Sequence, residues 1–182
     1  SLRAHRLAAG GAVLESRQLP RGVAHLAGGA SGFEQAFDEA CGDWVRASPG
    51  VPVIACGMVG SAQGWREAAY LEVPASLDAL ASMLTTVVAA NGVTVHIVPG
   101  LIERGRLPNV MRGEETQIAG VLAGALEDPA QPAGSVTLIG LPGTHSKWAQ
   151  IRERAIVHFD TFMTGEVYDA LCTHTFLART LR

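Results

Sequence analysis

The chain has 182 residues, 48% of them hydrophobic and 17% charged, with a net charge of -3 at neutral pH. That is enough apolar material for one good core, or for one lobe of a larger protein, and it excludes a disordered chain. Without a basic excess, nucleic acid is an unsuitable partner, and a small anion has to be held locally by a few Arg, Lys and backbone N–H groups.

In chain order, residues 2–7 and 12–19 predict the two strands of a hairpin around Gly10-Gly11. Ser31 is placed to cap a helix carrying Phe33, Ala36, Phe37, Ala40, Cys41 and Trp44 at three- and four-residue spacing. Pro49-Gly50 ends it. Residues 51–56 predict a strand buried on both faces, which puts Cys56 in the core. Residues 57–70 read as a loop, 76–88 as a helix capped by Ser76, 94–98 as a second buried strand, and 102–111 as irregular. A helix is expected over 114–126 with Ile118, Val121, Leu122 and Ala125 on its core face, followed by a loop over 128–134. Strands at 136–141, 147–151 and 155–159, separated by turns, lead to a closing helix over 166–176. The succession is mixed α/β, a sheet flanked by helices.

Cys41, Cys56 and Cys172 make no CxxC pair, which suits a reducing cytoplasm. No apolar run approaches the ~20 residues of a membrane helix, so no membrane partner is expected. The six histidines lack metal-ligand spacing, and no metal site is expected within the chain.

Three places carry chemistry. Gly57-Met58-Val59-Gly60-Ser61 leaves a strand and enters a loop containing Trp65, where α/β sheets bind ligands; Trp65 suits either a sugar face or ordinary packing. Arg112-Gly113-Glu114-Glu115 stands where a helix begins. Its dipole favours an ionised carboxylate that could orient and deprotonate a hydroxyl, although two acids there also simply complement the dipole. Arg112 could pair a carboxylate substrate bidentately or be an ordinary surface arginine. Pro142-Gly143-Thr144-His145-Ser146-Lys147 joins two strands and can aim N–H groups and a hydroxyl at phosphate oxygens, or be a plain hairpin turn. It is not a P-loop, because glycine, lysine and hydroxyl come in the wrong order.

With Val98-Pro99-Gly100-Leu101, Asn109-Val110-Met111-Arg112-Gly113-Glu114-Glu115-Thr116-Gln117, Leu141–Trp148 and Phe162-Met163-Thr164-Gly165-Glu166, these blocks resemble the 2-dehydro-3-deoxygalactonokinase family along nearly the whole chain. The resemblance implies a ribonuclease-H-like, actin-like ATPase fold, mostly the N-terminal lobe plus the start of the second. It implies transfer of the ATP γ-phosphate, with Mg²⁺ as counter-ion, to the 6-hydroxyl of 2-dehydro-3-deoxy-D-galactonate in galactonate catabolism. A kinase for another sugar or polyol, or a non-catalytic sugar-acid binding module, are the alternative readings.

By the same resemblance Glu114 is the expected base with Glu115 second. Gly57, Met58, Ser61, Trp65, Asn109 and Arg112 are expected at the sugar acid, and Gly143, Thr144, His145, Ser146 and Lys147 at phosphate. The partners are a sugar acid and a nucleotide, in the cytoplasm, with a homo-oligomer left open. Residues 1–111 are expected to form the sugar-binding lobe and 112–182 the catalytic helix, phosphate turn and start of the second lobe. The first phosphate motif and the nucleotide lobe of such kinases fall outside the sequence, so the 182-residue chain alone is expected to turn over little.

Overall fold

Turn-forming Gly10-Gly11 brings β1 (Leu2–Leu7) and β2 (Val13–Leu19) into the expected antiparallel hairpin. The computed structural model describes residues 1–23, 26, 28–125 and 134–180. These divide into one unit of Ser1–Ala69 with Leu84–Pro99 and another of Tyr70–Met83 with Gly100–Arg182. The expected boundary after Met111 is therefore corrected. Strand pairing ties residues 70–76 and 100–111 to the second unit, because both β4 (Tyr70–Glu72) and β9 (Asn109–Met111) pair with β8 (Gly100–Glu103).

In the first unit, α1 (Ala30–Phe37) runs through a wide turn at Asp38–Gly42 into α2 (Asp43–Ala47). Phe33, Ala36, Phe37, Ala40 and Trp44 are buried, as their spacing predicts. Ser31 does not cap the helix. The helix starts one residue earlier, and the Ser31 hydroxyl donates back to the Gly28 carbonyl at 2.8 Å, a local bond that short hydroxyl side chains form readily. Arg17 on β2 fastens the hairpin to α2: it bonds both Asp43 oxygens at 2.6 and 2.8 Å and lies 4.2 Å over the Trp44 ring.

The sheet of this unit is β3 (Val53–Ala55) parallel to β7 (Thr94–Ile97), which is antiparallel to β6 (Thr85–Val88). Val53, Ala55, Val87 and Val95 pack against Phe37 and Val45. Ile54 is 63% exposed and Cys56 is exposed, so burial on both faces of residues 51–56 is corrected. The helix expected over 76–88 also stops short. Ser76 caps α3 (Leu77–Ser82) by accepting from Ala79 N–H at 3.1 Å, but Thr85-Thr86-Val87-Val88 is β-branched throughout and becomes β6.

In the second unit, residues 102–111 are not irregular. They complete the β8–β9 hairpin, whose Gly- and Pro-containing loop hid its short strands. A four-stranded antiparallel sheet has the order β10 (Thr137–Leu141), β11 (Ser146–Arg152), β12 (Ala155–Phe162), β5 (Ala75–Ser76). Helix α4 (Glu114–Ala125) packs Ile118 and Leu122 with Leu101, Met111, Ala149, Ile151, Ile156 and Phe159. Val121, expected on that face, is 50% exposed. The side chain of Ala125 and most of the loop expected over 128–134 lie outside the described residues. The closing helix α5 (Thr164–His174) starts two residues early and buries no side chain. No described helix is long and apolar enough to cross a membrane.

Candidate site at the acidic helix start and the phosphate turn

Between β9 and α4 the chain reverses through Gly113 at φ 112°, a backbone that only glycine adopts cheaply. Both acids then fold back onto the helix start. Glu114 Oε2 accepts from Arg112 N–H at 3.1 Å, and Glu115 Oε2 accepts from Gly113 N–H at 2.6 Å. Thr116 Oγ1 donates to Glu115 Oε1 at 3.2 Å. The bond to Gly113 N–H satisfies the amide at the helix cap, and the bond to Arg112 N–H satisfies the one just before it.

The two carboxylates differ in burial. Glu115 is 0% exposed, and burial raises its pKa above the ordinary value even though its hydrogen bonds pull the other way. It lies on the stripe of Ile118 and Leu122, three and seven residues on, so helical geometry turns it inward. Glu114 is only partly buried, and of the two it is the acid that can reach a ligand. Beside it, the Arg112 guanidinium lies 4.2 Å over the Tyr70 ring, and its Nε–H donates to the Tyr70 hydroxyl at 3.4 Å.

The turn between β10 and β11 is held from behind by α5. Gly165 N–H donates to the carbonyls of Gly143 and Thr144 at 3.2 and 3.0 Å, and Glu166 N–H donates to Thr144 at 3.1 Å. A trans peptide points its N–H opposite its C=O. The N–H groups of Thr144 and His145 consequently face away from α5. Thr144 and His145 are exposed. His145 Nε2 lies 2.5 Å from Glu166 Oε2, which fixes the ring, and Ser146 Oγ accepts from Gly143 N–H at 3.4 Å.

Lys147 is turned inward, only 5% exposed. It donates to the Val110 carbonyl at 2.9 Å and to Thr161 Oγ1 at 2.8 Å. Thr161 Oγ1 in turn donates to Asn109 Oδ1 at 2.6 Å, and Asn109 Nδ2 donates to the Phe159 carbonyl at 2.6 Å. Asn109 and Thr161 also line a polar surface cavity of about 400 Å³ with Glu103, Arg104, His158 and Asp160. There Glu103 accepts from His158 Nδ1 at 2.7 Å, and this bond raises the imidazole pKa.

The structure thus brings Glu114, Glu115, Asn109, Arg112 and residues 143–147 into the second unit, whereas Gly57, Met58, Ser61 and Trp65 belong to the first. In that loop Ser61 Oγ donates to the Met58 carbonyl at 2.8 Å, and the Met58 side chain is 55% exposed. Trp65 stacks on Phe33 at 6.3 Å and tilts against Phe37 at 5.6 Å, so much of its ring is engaged in packing.

Sequence reasoning missed Tyr70, Glu103, His158, Asp160, Thr161 and Glu166. Only His158 and Asp160 left a trace, two polar residues at the two-residue period of a strand. The partners of the rest are set by pairing between distant segments.

The sequence model of the 2-keto-3-deoxy-galactonokinase family matches residues 1–182. The chain is 41% identical over 169 residues to the Rhizobium meliloti (strain 1021) protein named "Probable 2-dehydro-3-deoxygalactonokinase DgoK1", covering 92% of this chain and 52% of that one. It is 39% identical over 165 residues to the 2-dehydro-3-deoxygalactonokinase of Escherichia coli (strain K12), covering 90% and 51%. A crystal structure of a Sinorhizobium meliloti protein given the same kinase designation superposes with a TM-score of 0.80 at 37% identity, over 97% of this chain and 56% of that one. The chain spans about half the length of the relatives it matches.

Proposed function

The chain belongs to the 2-keto-3-deoxy-galactonokinase family, and we propose that it forms the acceptor-activating and phosphate-holding part of an ATP-dependent sugar-acid kinase. The fold reading is that of an actin-like, ribonuclease-H-type ATPase, and the substrate reading is 2-dehydro-3-deoxy-D-galactonate, phosphorylated at its 6-hydroxyl. One observation carries it: α5 engages the carbonyls of Gly143 and Thr144, which leaves the Thr144 and His145 N–H groups on the side of the turn away from the helix. Phosphoryl oxygens are suitable acceptors for N–H groups exposed in this way.

ATP, when bound, supplies the phosphoryl group that ends on the sugar oxygen and leaves as ADP. The Thr144 and His145 amides hold the anionic oxygens, and the Thr144 hydroxyl can add a third donor. Glu114 accepts the proton of the attacking hydroxyl. Its second oxygen stays on Arg112 N–H, which orients it. Glu115, sealed in the core, shapes the turn and takes no proton from substrate. Arg112, braced on Tyr70, is suited to the sugar-acid carboxylate. Asn109 is suited to a sugar hydroxyl at the rim of the polar cavity.

Among the described residues no group of three or more His, Cys, Asp or Glu side chains is placed to hold a metal ion. A Mg²⁺ that accompanies ATP is held mainly by phosphate oxygens and water and needs no such group. The three cysteines form no disulfide, in keeping with a cytoplasmic enzyme.

The test is ADP release, coupled to a chromogenic reaction, by the protein expressed from its full coding sequence. Keto-deoxy sugar acids, aldoses and polyols are offered in parallel. Turnover confined to the sugar acids supports the reading; preference for an aldose or polyol, or no turnover, refutes it.

A further inference from the structure

Resting on the kinase reading above, we propose that Lys147 is a positioning residue that holds the Glu114 turn and the phosphate turn at their working separation. Lysine is among the residues least often buried, and then normally beside an acid. Lys147 is 5% exposed, yet among the described residues no carboxylate stands within ion-pair distance of it. A methionine would fill a similar volume at lower desolvation cost, so stability does not explain the charge.

Position does. Lys147 follows Ser146 directly at the end of the phosphate turn, and its ammonium reaches across to the Val110 carbonyl, two residues before Arg112 and four before Glu114. A single side chain thus spans from one turn to the other. Its second bond runs to Thr161, its register partner on β12, and on through Thr161 to Asn109, at the start of β9. The strand that leads to Glu114 (β9), the strand that leaves the turn (β11) and β12 are therefore joined at one ammonium. Burial lowers the lysine pKa while the charge of Glu114 acts to raise it, which fits an ammonium kept near that acid. A nearby cation of this kind, held at fixed distance, suits a site where negative charge moves.

The experiment compares Lys147→Ala and Lys147→Met with the unaltered protein, expressed from its full coding sequence. A misplacement on the order of 1 Å can cost about 10²-fold in rate. Lys147→Ala is expected to lose about that much kcat, with KM for sugar acid and for ATP within about threefold. Propylammonium is expected to restore part of the rate, and propanol of similar length is not. Lys147→Met is expected to fold at least as stably and to remain slow. Equal rescue by the alcohol, or full activity in Lys147→Met, would overturn the proposal, since a space-filling role predicts both.

Amide hydrogen exchange gives a second readout that does not depend on turnover. Faster exchange in Lys147→Met confined to residues 110–116 and 143–147 supports the tie, and unchanged exchange there refutes it. If the unaltered protein phosphorylates no sugar acid, the kinase reading falls, and the tie is judged by exchange alone.

Discussion

Gly165 sits with its N–H 3.2 Å from the carbonyl oxygen of Gly143, so close that a Cβ on Gly165 would meet that oxygen at 2.6 Å. The same Cβ would meet Thr144 Cα at 2.9 Å. Helix α5 can hold the phosphate turn from behind only because its first turn carries no side chain at this point.

Gly165→Ala should therefore destabilise, although alanine is ordinarily the better helix residue by about 1 kcal/mol. Overpacking against backbone costs about 1–3 kcal/mol and has no flexible neighbour to absorb it. A lower urea midpoint with unchanged slope, together with a loss of kcat, is the expected outcome. A stabilised, fully active variant would contradict the bracing of the turn by α5.

Glu114→Gln and Glu115→Gln should separate cleanly. Loss of a general base is worth about 10²–10⁴-fold in turnover with little change in substrate binding. That is expected at Glu114, the acid with access to solvent. At Glu115 the main change should be in stability, because its carboxylate is wholly enclosed. A severe kinetic defect at Glu115 with a mild one at Glu114 would move the base by one position.

Arg112→Ala should raise KM for the sugar acid and leave kcat nearly unchanged. A charge-assisted hydrogen bond contributes roughly 1.5–3 kcal/mol, equivalent to about 10–150-fold in affinity. Arg112→Lys should recover little, since an ammonium neither stacks flat on Tyr70 nor grips a carboxylate with two parallel bonds. Steady-state kinetics at saturating ATP read this directly.

Stability should fall at both ends of the acidic range, from opposite causes. Arg17 holds the Asp43 carboxyl at about 2, below its ordinary 3.8. The folded state thus binds fewer protons there than the unfolded one, and this contribution is present above pH 3.8 and lost as pH falls towards about 2. Glu115 is the reverse. Its pKa is raised in the fold, so stability declines as pH rises from 4.5 through the folded value. Thermal melts against pH should show Asp43→Asn losing the first slope and Glu115→Gln losing the second.

Trp65→Ala should cost about 2–3 kcal/mol, below the range for a fully buried tryptophan because the ring is partly open. Chemical denaturation checks it. No loss of stability would show that the contacts with Phe33 and Phe37 are incidental.

Local rules carried much of the reading. The amphipathic spacing of Phe33 to Trp44, the cap at Ser76, the strand–turn–strand of 137–152 and the acidic start of α4 depend on neighbours within a few residues, and each appears close to where it was expected. Even the inward turn of Lys147 was present in the alternation Lys147, Ala149, Ile151, and that of Glu115 in its spacing to Ile118 and Leu122.

What the sequence by itself determined, then, is the type of its most regular segments, such as α1, α4 and the hairpin of β10 and β11, and the inward direction of Phe33, Phe37, Ile118 and Leu122, because a side chain's direction follows from backbone period. Only the tertiary structure decided that Ile54 and Cys56 are exposed, that residues 100–111 form a hairpin, and that α5 engages the carbonyls of Gly143 and Thr144. It also decided that Lys147 meets Val110 across 37 residues of chain. Those facts depend on which distant segments meet, and no local period encodes a partner.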